Sequence, residues 1–247
     1  ALRRVRGKDG GRAARAARAA RAMAPAGLLL WVASCAAPEP DHPERVVAVA
    51  EDESPAESVV YLVGDPGEAR YDRYPILERL KRDVAAWSER LPADSSVVVL
   101  VLGDAVYPVG MRAPDHPEFP RDSAIVADQL RVVSGEPAAG AGVRMLYVAG
   151  NHDWGMREDR EGARRLAHLG RFLERRRGRG VNAELVPRAG TGGPHVVDLG
   201  RHLRLVLLDS SWWVFDAEPR AMAETVRGLA RALATAGDRE VVVAAHH

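Results

Sequence analysis

Three apolar runs in this chain end in residues that can hold a cation. Val59 to Val63 leads into Gly64-Asp65-Pro66-Gly67. Val97 to Leu102 leads into Gly103-Asp104-Ala105-Val106-Tyr107, and Met145 to Ala149 leads into Gly150-Asn151-His152-Asp153. Each run thus delivers a glycine and then an oxygen donor. Glycine lets the backbone turn sharply and approach a ligand closely. Asp and Asn place hard oxygens there and His adds nitrogen, a donor mixture that suits Mn, Fe or Zn. Singly, Gly-Asp after a strand reads as a turn, and Asn-His-Asp as the cap of a following helix. Three in series, separated by helix-length connections, are harder to explain as turns.

These runs need a scaffold that brings them together. Short β-branched runs read as strands buried on both faces. Between the first two, Tyr74 to Arg90 carries Ile76, Leu77, Leu80, Val84 and Trp87 at helical spacing. Asp122 to Val133 predicts a second helix, capped by Asp122 or Ser123, and Arg160 to Arg176 a third. Val196 to Leu199 and Leu203 to Leu208 flank Gly200-Arg201-His202, a hairpin signal. A helix over Pro219 to Ala234 and a strand over Val241 to Ala245 complete the pattern. Alternating elements imply a layered α/β domain, and ligands of such sheets bind at the carboxyl ends of the strands.

The order and spacing of these motifs resemble the calcineurin-like metallophosphoesterase superfamily. The GDxG, GDxxY and GNHD forms are most similar to its purple acid phosphatase branch. A fourth family element, VxxH, matches Val243-Ala244-Ala245-His246. The resemblance covers about residues 58–247 and implies an α/β/β/α sandwich. It also implies hydrolysis of phosphate esters by metal-bound hydroxide at a pair of transition-metal ions, Fe with Zn or Mn. Asp65 would bind the first metal and Asp104 would bridge both. Tyr107 would be a phenolate ligand to the first. Asn151 and His246 would bind the second. His152 would face the substrate as a catalytic group, with the Asp153 carboxylate holding its orientation. A metal pair can clamp an in-line displacement at phosphorus, and a histidine can protonate the leaving alkoxide.

Some positions keep two readings. Tyr107, followed by Pro108, could pack in a loop instead of ligating. His247 adjoins His246, and neighbours on a strand point to opposite sides, so only one is a natural ligand; the spacing favours His246. Asp209, Ser210, Ser211, Trp212 and Trp213 could line a cleft or belong to the core. Serine esterases with Gly-Asp and Gly-Asn-His motifs need a serine after the first Gly-Asp, where this chain has Pro66 and Ala105. The family's last motif, GHxH, which gives one histidine to each metal, does not occur. The resemblance therefore implies a domain incomplete at its C-terminus that by itself binds metal weakly. It leaves open an inactive surface lipoprotein domain that keeps the scaffold.

Composition sets the remaining bounds. The 247 residues are 47% hydrophobic, enough to bury a sizeable core, and the net charge is +1. That balance provides no general attraction to nucleic acid or membrane. Arginine is concentrated before Met23, and Met23 to Cys35 reads MAPAGLLLWVASC. A basic stretch, a short apolar run and small residues describe a secretory signal, and the ending Val32-Ala33-Ser34-Cys35 resembles a bacterial lipoprotein signal. Residues 1–35 are expected to be a leader. Residues 36–57, rich in Pro, Glu, Asp and Ala, are expected to form a tether that cannot bury enough surface to order itself. The expected location is the periplasm or cell envelope, with membrane attachment only through a lipid on Cys35.

Overall fold

The computed structural model describes residues 56–68, 75–134, 142–157, 161–177 and 181–247. The expected leader lies outside the described residues, as does all of the tether except Ala56 and Glu57. Glu57 accepts from the Arg201 guanidinium at 3.2 Å, so the last tether residue is already tied to the domain.

Four strands, β1 (Ser58–Val63), β2 (Ser96–Leu102), β3 (Gly142–Val148) and β4 (Ala183–Leu185), form a parallel sheet in sequence order. Helices α1 (Pro75–Arg90), α2 (Phe119–Leu130) and α3 (Gly162–Arg177) connect them. The strand order never reverses, and parallel crossovers share one hand. All three helices therefore cover the same face. Side-chain alternation along the strands shows it. Val97, Val99, Val101, Met145 and Tyr147 pack with Leu77, Leu80 and Val84 of α1, Val126 and Leu130 of α2, and Leu169, Phe172 and Leu173 of α3.

The alternate residues Val98, Leu100, Leu146 and Val148 point to the other face. There they meet Val197, Leu199, Leu205, Leu207 and Ala244 of a second sheet. That sheet holds β5 (His195–Leu199), β6 (Leu203–Leu207) and β7 (Glu240–Ala244) in that order, with β5 antiparallel and β7 parallel to β6. The expected hairpin is present, its turn carrying Gly200 at φ +59°. A short helix α4 (Ser210–Phe215) follows β6, and α5 (Pro219–Ala234) precedes β7. Helix α5 packs on the second sheet, where Arg204 of β6 donates to the Ala232 carbonyl at 2.8 Å. The described residues thus form an α/β structure of helices and two facing sheets. Among them no helix is long and apolar enough to cross a membrane.

Two local expectations need correction. Helix α2 begins at Phe119, with Pro120 in its first turn, where a missing N–H costs nothing. Asp122 is therefore inside the helix, not its cap. It is fully buried, and it accepts from both the side chain and the backbone N–H of Arg112. Helix α4 and the three-residue β4 carry too little periodicity to be read from sequence.

Candidate metal centre

The register sets the site. Val63 of β1 lies opposite Val101 of β2, and Leu102 of β2 opposite Val148 of β3. The three strands therefore end at one edge of the sheet, and Asp65, Asp104 and Asn151 follow those ends within a few residues. His246 arrives from β7 in the other sheet, its Nδ1 2.7 Å from the Leu102 carbonyl. Ligating atoms of Asp65, Asp104 and His246 lie within 4.8 Å of one another.

The backbone is shaped around these side chains. Asp65 and Asp104 have φ +51° and +55°, left-handed values uncommon outside glycine, though Asp adopts them more readily than most residues. Such backbone concentrates at functional positions. A Cβ on Gly150 would collide with the Asp104 backbone N and carboxylate, and one on Gly103 with the His246 ring. Both glycines are demanded by these close approaches.

Hydrogen bonds assign the donors. The Leu102 carbonyl can only accept, so His246 donates to it from Nδ1, and Nε2 is the nitrogen that faces the site. That Nε2 faces Oδ1 of Asn151 at 2.8 Å, while the amide nitrogen of Asn151 is turned to the sulfur of Met156. With the ring neutral, both atoms are lone-pair donors aimed at one place, where a cation could take both. His152 is held likewise: its Nδ1 donates to the Pro108 carbonyl at 2.6 Å, and its Nε2 lies 4.0 Å from Asp104 Oδ2. The His152 backbone N–H also donates to Asp104 Oδ1 at 3.0 Å.

Tyr107 reaches the same place. Its hydroxyl donates to Asp104 Oδ2 at 2.7 Å and lies 3.4 Å from Asp65 Oδ1, and its ring centroid lies 4.1 Å from that of His152. Burial, the hydrogen bond to Asp104 and the neighbouring carboxylates raise its pKa. The phenol is therefore a donor here, and ligation as phenolate requires cationic charge to reverse that bias. Burial, and then the Asp104 charge, raise the Asp65 pKa. Two carboxylates held this close favour a cation between them.

Asp153 does not take the orienting role expected for it. Its carboxylate is buried and accepts from the backbone N–H groups of Gly150, Ala105 and Val106 at 3.0–3.3 Å. It ties the loop after β2 to the loop after β3, while Pro108 orients His152. Burial and the Asp104 charge push its pKa to about 7, against the lowering effect of those N–H groups. His247 stands at the margin, its backbone N–H donating to Ser210 Oγ.

Three supporting residues stand outside the expected ligand and catalytic set. Gln129 sits within α2, where nothing in the local pattern marks it, and Asp122 reads from sequence only as a cap. Asp209 has a legible signal, because Asp before Ser-Ser reads as a helix N-cap. It caps α4 by accepting from Trp212 N at 2.8 Å, and it accepts from Trp154 Nε1 at 3.0 Å. This anchors the end of the Asn151-His152-Asp153 loop, with Trp212 buried beside Trp154.

Burial raises the Asp209 pKa from 3.8 to about 6. The folded state then holds a proton that the unfolded state has released. The resulting stability is complete below pH 3.8 and is lost as pH rises through 6. At about 1.4 kcal/mol per unit, the loss is on the order of 2–3 kcal/mol. The stability difference between wild type and Asp209→Asn is expected to change by that amount between pH 4 and 7. Urea unfolding at each pH measures it, and a pH-independent difference would contradict it.

The donor set fits metal ions: two carboxylates, an amide oxygen and an imidazole nitrogen converge, and no Lys or Arg among the described residues forms an ion pair with either carboxylate. No protein-family model matches this chain, and no curated protein matches it.

Proposed function

We propose that this chain carries a metallophosphoesterase-type domain, an α/β/β/α sandwich that hydrolyses phosphate esters at a pair of transition-metal ions. The observation that carries the reading is the convergence of His246 Nε2 and the Asn151 amide oxygen, 2.8 Å apart, beside the Asp65 and Asp104 carboxylates. Asp65 and Asp104, with Tyr107 if its proton is displaced, would hold the first ion. Asp104, Asn151 and His246 would hold the second. Ions held there, Fe with Zn or Mn, supply Lewis acidity and lower the pKa of water for attack at phosphorus. His152 presents Nε2 to the substrate, because Pro108 occupies Nδ1. From Nε2 it can steady a phosphoryl oxygen or pass a proton to the departing alkoxide.

The lipoprotein-like leader, outside the described residues, would place this domain in the periplasm or cell envelope with a lipid on Cys35 as its anchor. A second reading keeps the scaffold without catalysis. It is favoured by one observation: the Asp65 side of the site gathers carboxylates and a protonated phenol but no imidazole of its own among the described residues.

Purified protein loaded with Mn²⁺, Zn²⁺ or iron is expected to release p-nitrophenol from its phosphate mono- or diester. A chelator should abolish the release and added metal restore it. Stoichiometric metal binding without hydrolysis across a panel of phosphate esters would sink the enzyme reading in favour of the inactive scaffold.

A further inference from the structure

The two carboxylates at the site come from loops that no strand pairing joins beyond Val63 and Val101. Two backbone hydrogen bonds cross between these loops, from Gly67 N to the Asp104 carbonyl at 3.0 Å and from Tyr107 N to the Gly67 carbonyl at 3.3 Å. Beneath them lies one side chain from a different element. Gln129, on α2, is 1% exposed. Its amide nitrogen donates to the Ala105 carbonyl at 2.8 Å and to the Pro66 carbonyl at 3.3 Å. Pro66 follows Asp65 and Ala105 follows Asp104, so one amide group holds the residue next to each carboxylate.

We propose that Gln129 is a positioning residue that sets the separation of the Asp65 and Asp104 carboxylates; this rests on reading them as metal ligands. Both N–H groups of its amide are directed to the two loops. Its Oε1 is buried without a hydrogen-bond partner among the described residues, and an unsatisfied buried acceptor costs about 1–3 kcal/mol. A methionine of similar length would fill the same space without that cost. Packing alone therefore does not account for an amide here, whereas two carbonyls that need a donor do. Asp65 and Asp104 both sit in left-handed backbone, and Gln129 fixes the carbonyl of the residue after each. Groups behind metal ligands typically change metal affinity about 10–100-fold when removed.

The test is a calorimetric titration of the 247-residue chain with Zn²⁺, comparing wild type with Gln129→Met, Val126→Ala and Asp104→Ala. Val126 is one turn earlier on α2 and packs into the core under the sheet. Its truncation destabilises the same helix but leaves the Gln129 hydrogen bonds to the Pro66 and Ala105 carbonyls in place. The expected result is a loss of affinity of about 10–100-fold in Gln129→Met and less than about threefold in Val126→Ala. Equal losses in both would reduce Gln129 to a structural residue and overturn the proposal, as would an unchanged affinity in Gln129→Met. The Asp104→Ala arm separates this from the larger reading. If Asp104→Ala binds Zn²⁺ as wild type does, the metal centre itself is wrong and the positioning role falls with it. If only the Gln129 arm is silent, the metal centre stands and Gln129 does not set it.

Discussion

Asp104→Ala is expected to abolish metal binding at this site and, with it, any phosphoesterase activity. Asp104 lies at the middle of the site. Its Oδ2 accepts from the Tyr107 hydroxyl, its Oδ1 accepts from the His152 backbone, and the same Oδ1 lies 3.6 Å from His246 Nε2. In the proposed assignment its carboxylate is the ligand that the two ions would share. Loss of an outer-shell group costs about 10–100-fold in metal affinity, and removal of a shared ligand is expected to exceed that. Without metal the substitution relieves repulsion, because the Asp104 charge opposes ionisation of both Asp65 and Asp153. The thermal midpoint of the metal-free variant is therefore expected to fall little. Wild type should gain stability on adding Zn²⁺, since a ligand that binds only the folded state stabilises it. The variant should gain none. A metal-induced rise in Tm of equal size in both proteins would remove Asp104 from the ligand set.

His152→Ala is expected to do the reverse, keeping the metals and losing turnover. The His152 ring offers the site one nitrogen, Nε2, since Nδ1 is committed to the Pro108 carbonyl and the ring face lies against Tyr107. Its link to Asp104 that matters for structure runs through its backbone N–H, which alanine retains. Zn²⁺ affinity is expected to stay within about threefold of wild type, while kcat falls roughly 10²–10⁴-fold, the range for a lost general acid. The leaving group discriminates between its two tasks. A proton donor matters most for a poor leaving group, so an alkyl phosphate should suffer more than p-nitrophenyl phosphate. An equal loss on both substrates would assign His152 to the phosphoryl oxygens instead. Loss of bound metal matching that of Asp104→Ala would contradict the division of labour altogether.

Much of the scaffold was legible because its signals are local. Val97 to Leu102 reads as a doubly buried strand and is one, β2, buried on both faces. The Leu77-Leu80-Val84 spacing reads as a helix face, and those residues line the core on α1. The start of α2 was placed three residues late because Asp122 has the chemistry of a cap, while its actual partner is Arg112, across a loop. Helix α4 was missed because six residues hold less than two turns of pattern. The Trp212-Trp213 pair kept two readings from sequence, and burial of Trp212 against Trp154 decides for the core.

The sequence by itself determined which residue types stand at the strand ends: a glycine and an oxygen donor after each of β1, β2 and β3, and a histidine after β7. Those are properties of neighbours in the chain, set by backbone freedom and hydrophobic periodicity. Only the tertiary structure decided how the groups face one another. The carbonyl of Leu102, 144 residues from His246, selects the nitrogen that faces the site. The Pro108 carbonyl, not Asp153, orients His152, because the three N–H groups of Gly150, Ala105 and Val106 already claim that carboxylate. The amide that joins the two carboxylate loops comes from α2, 63 residues beyond Pro66. Hydrogen bonds between distant segments leave no period in a sequence. They arise when the strand register and the face shared by the helices bring a carbonyl within reach of a donor.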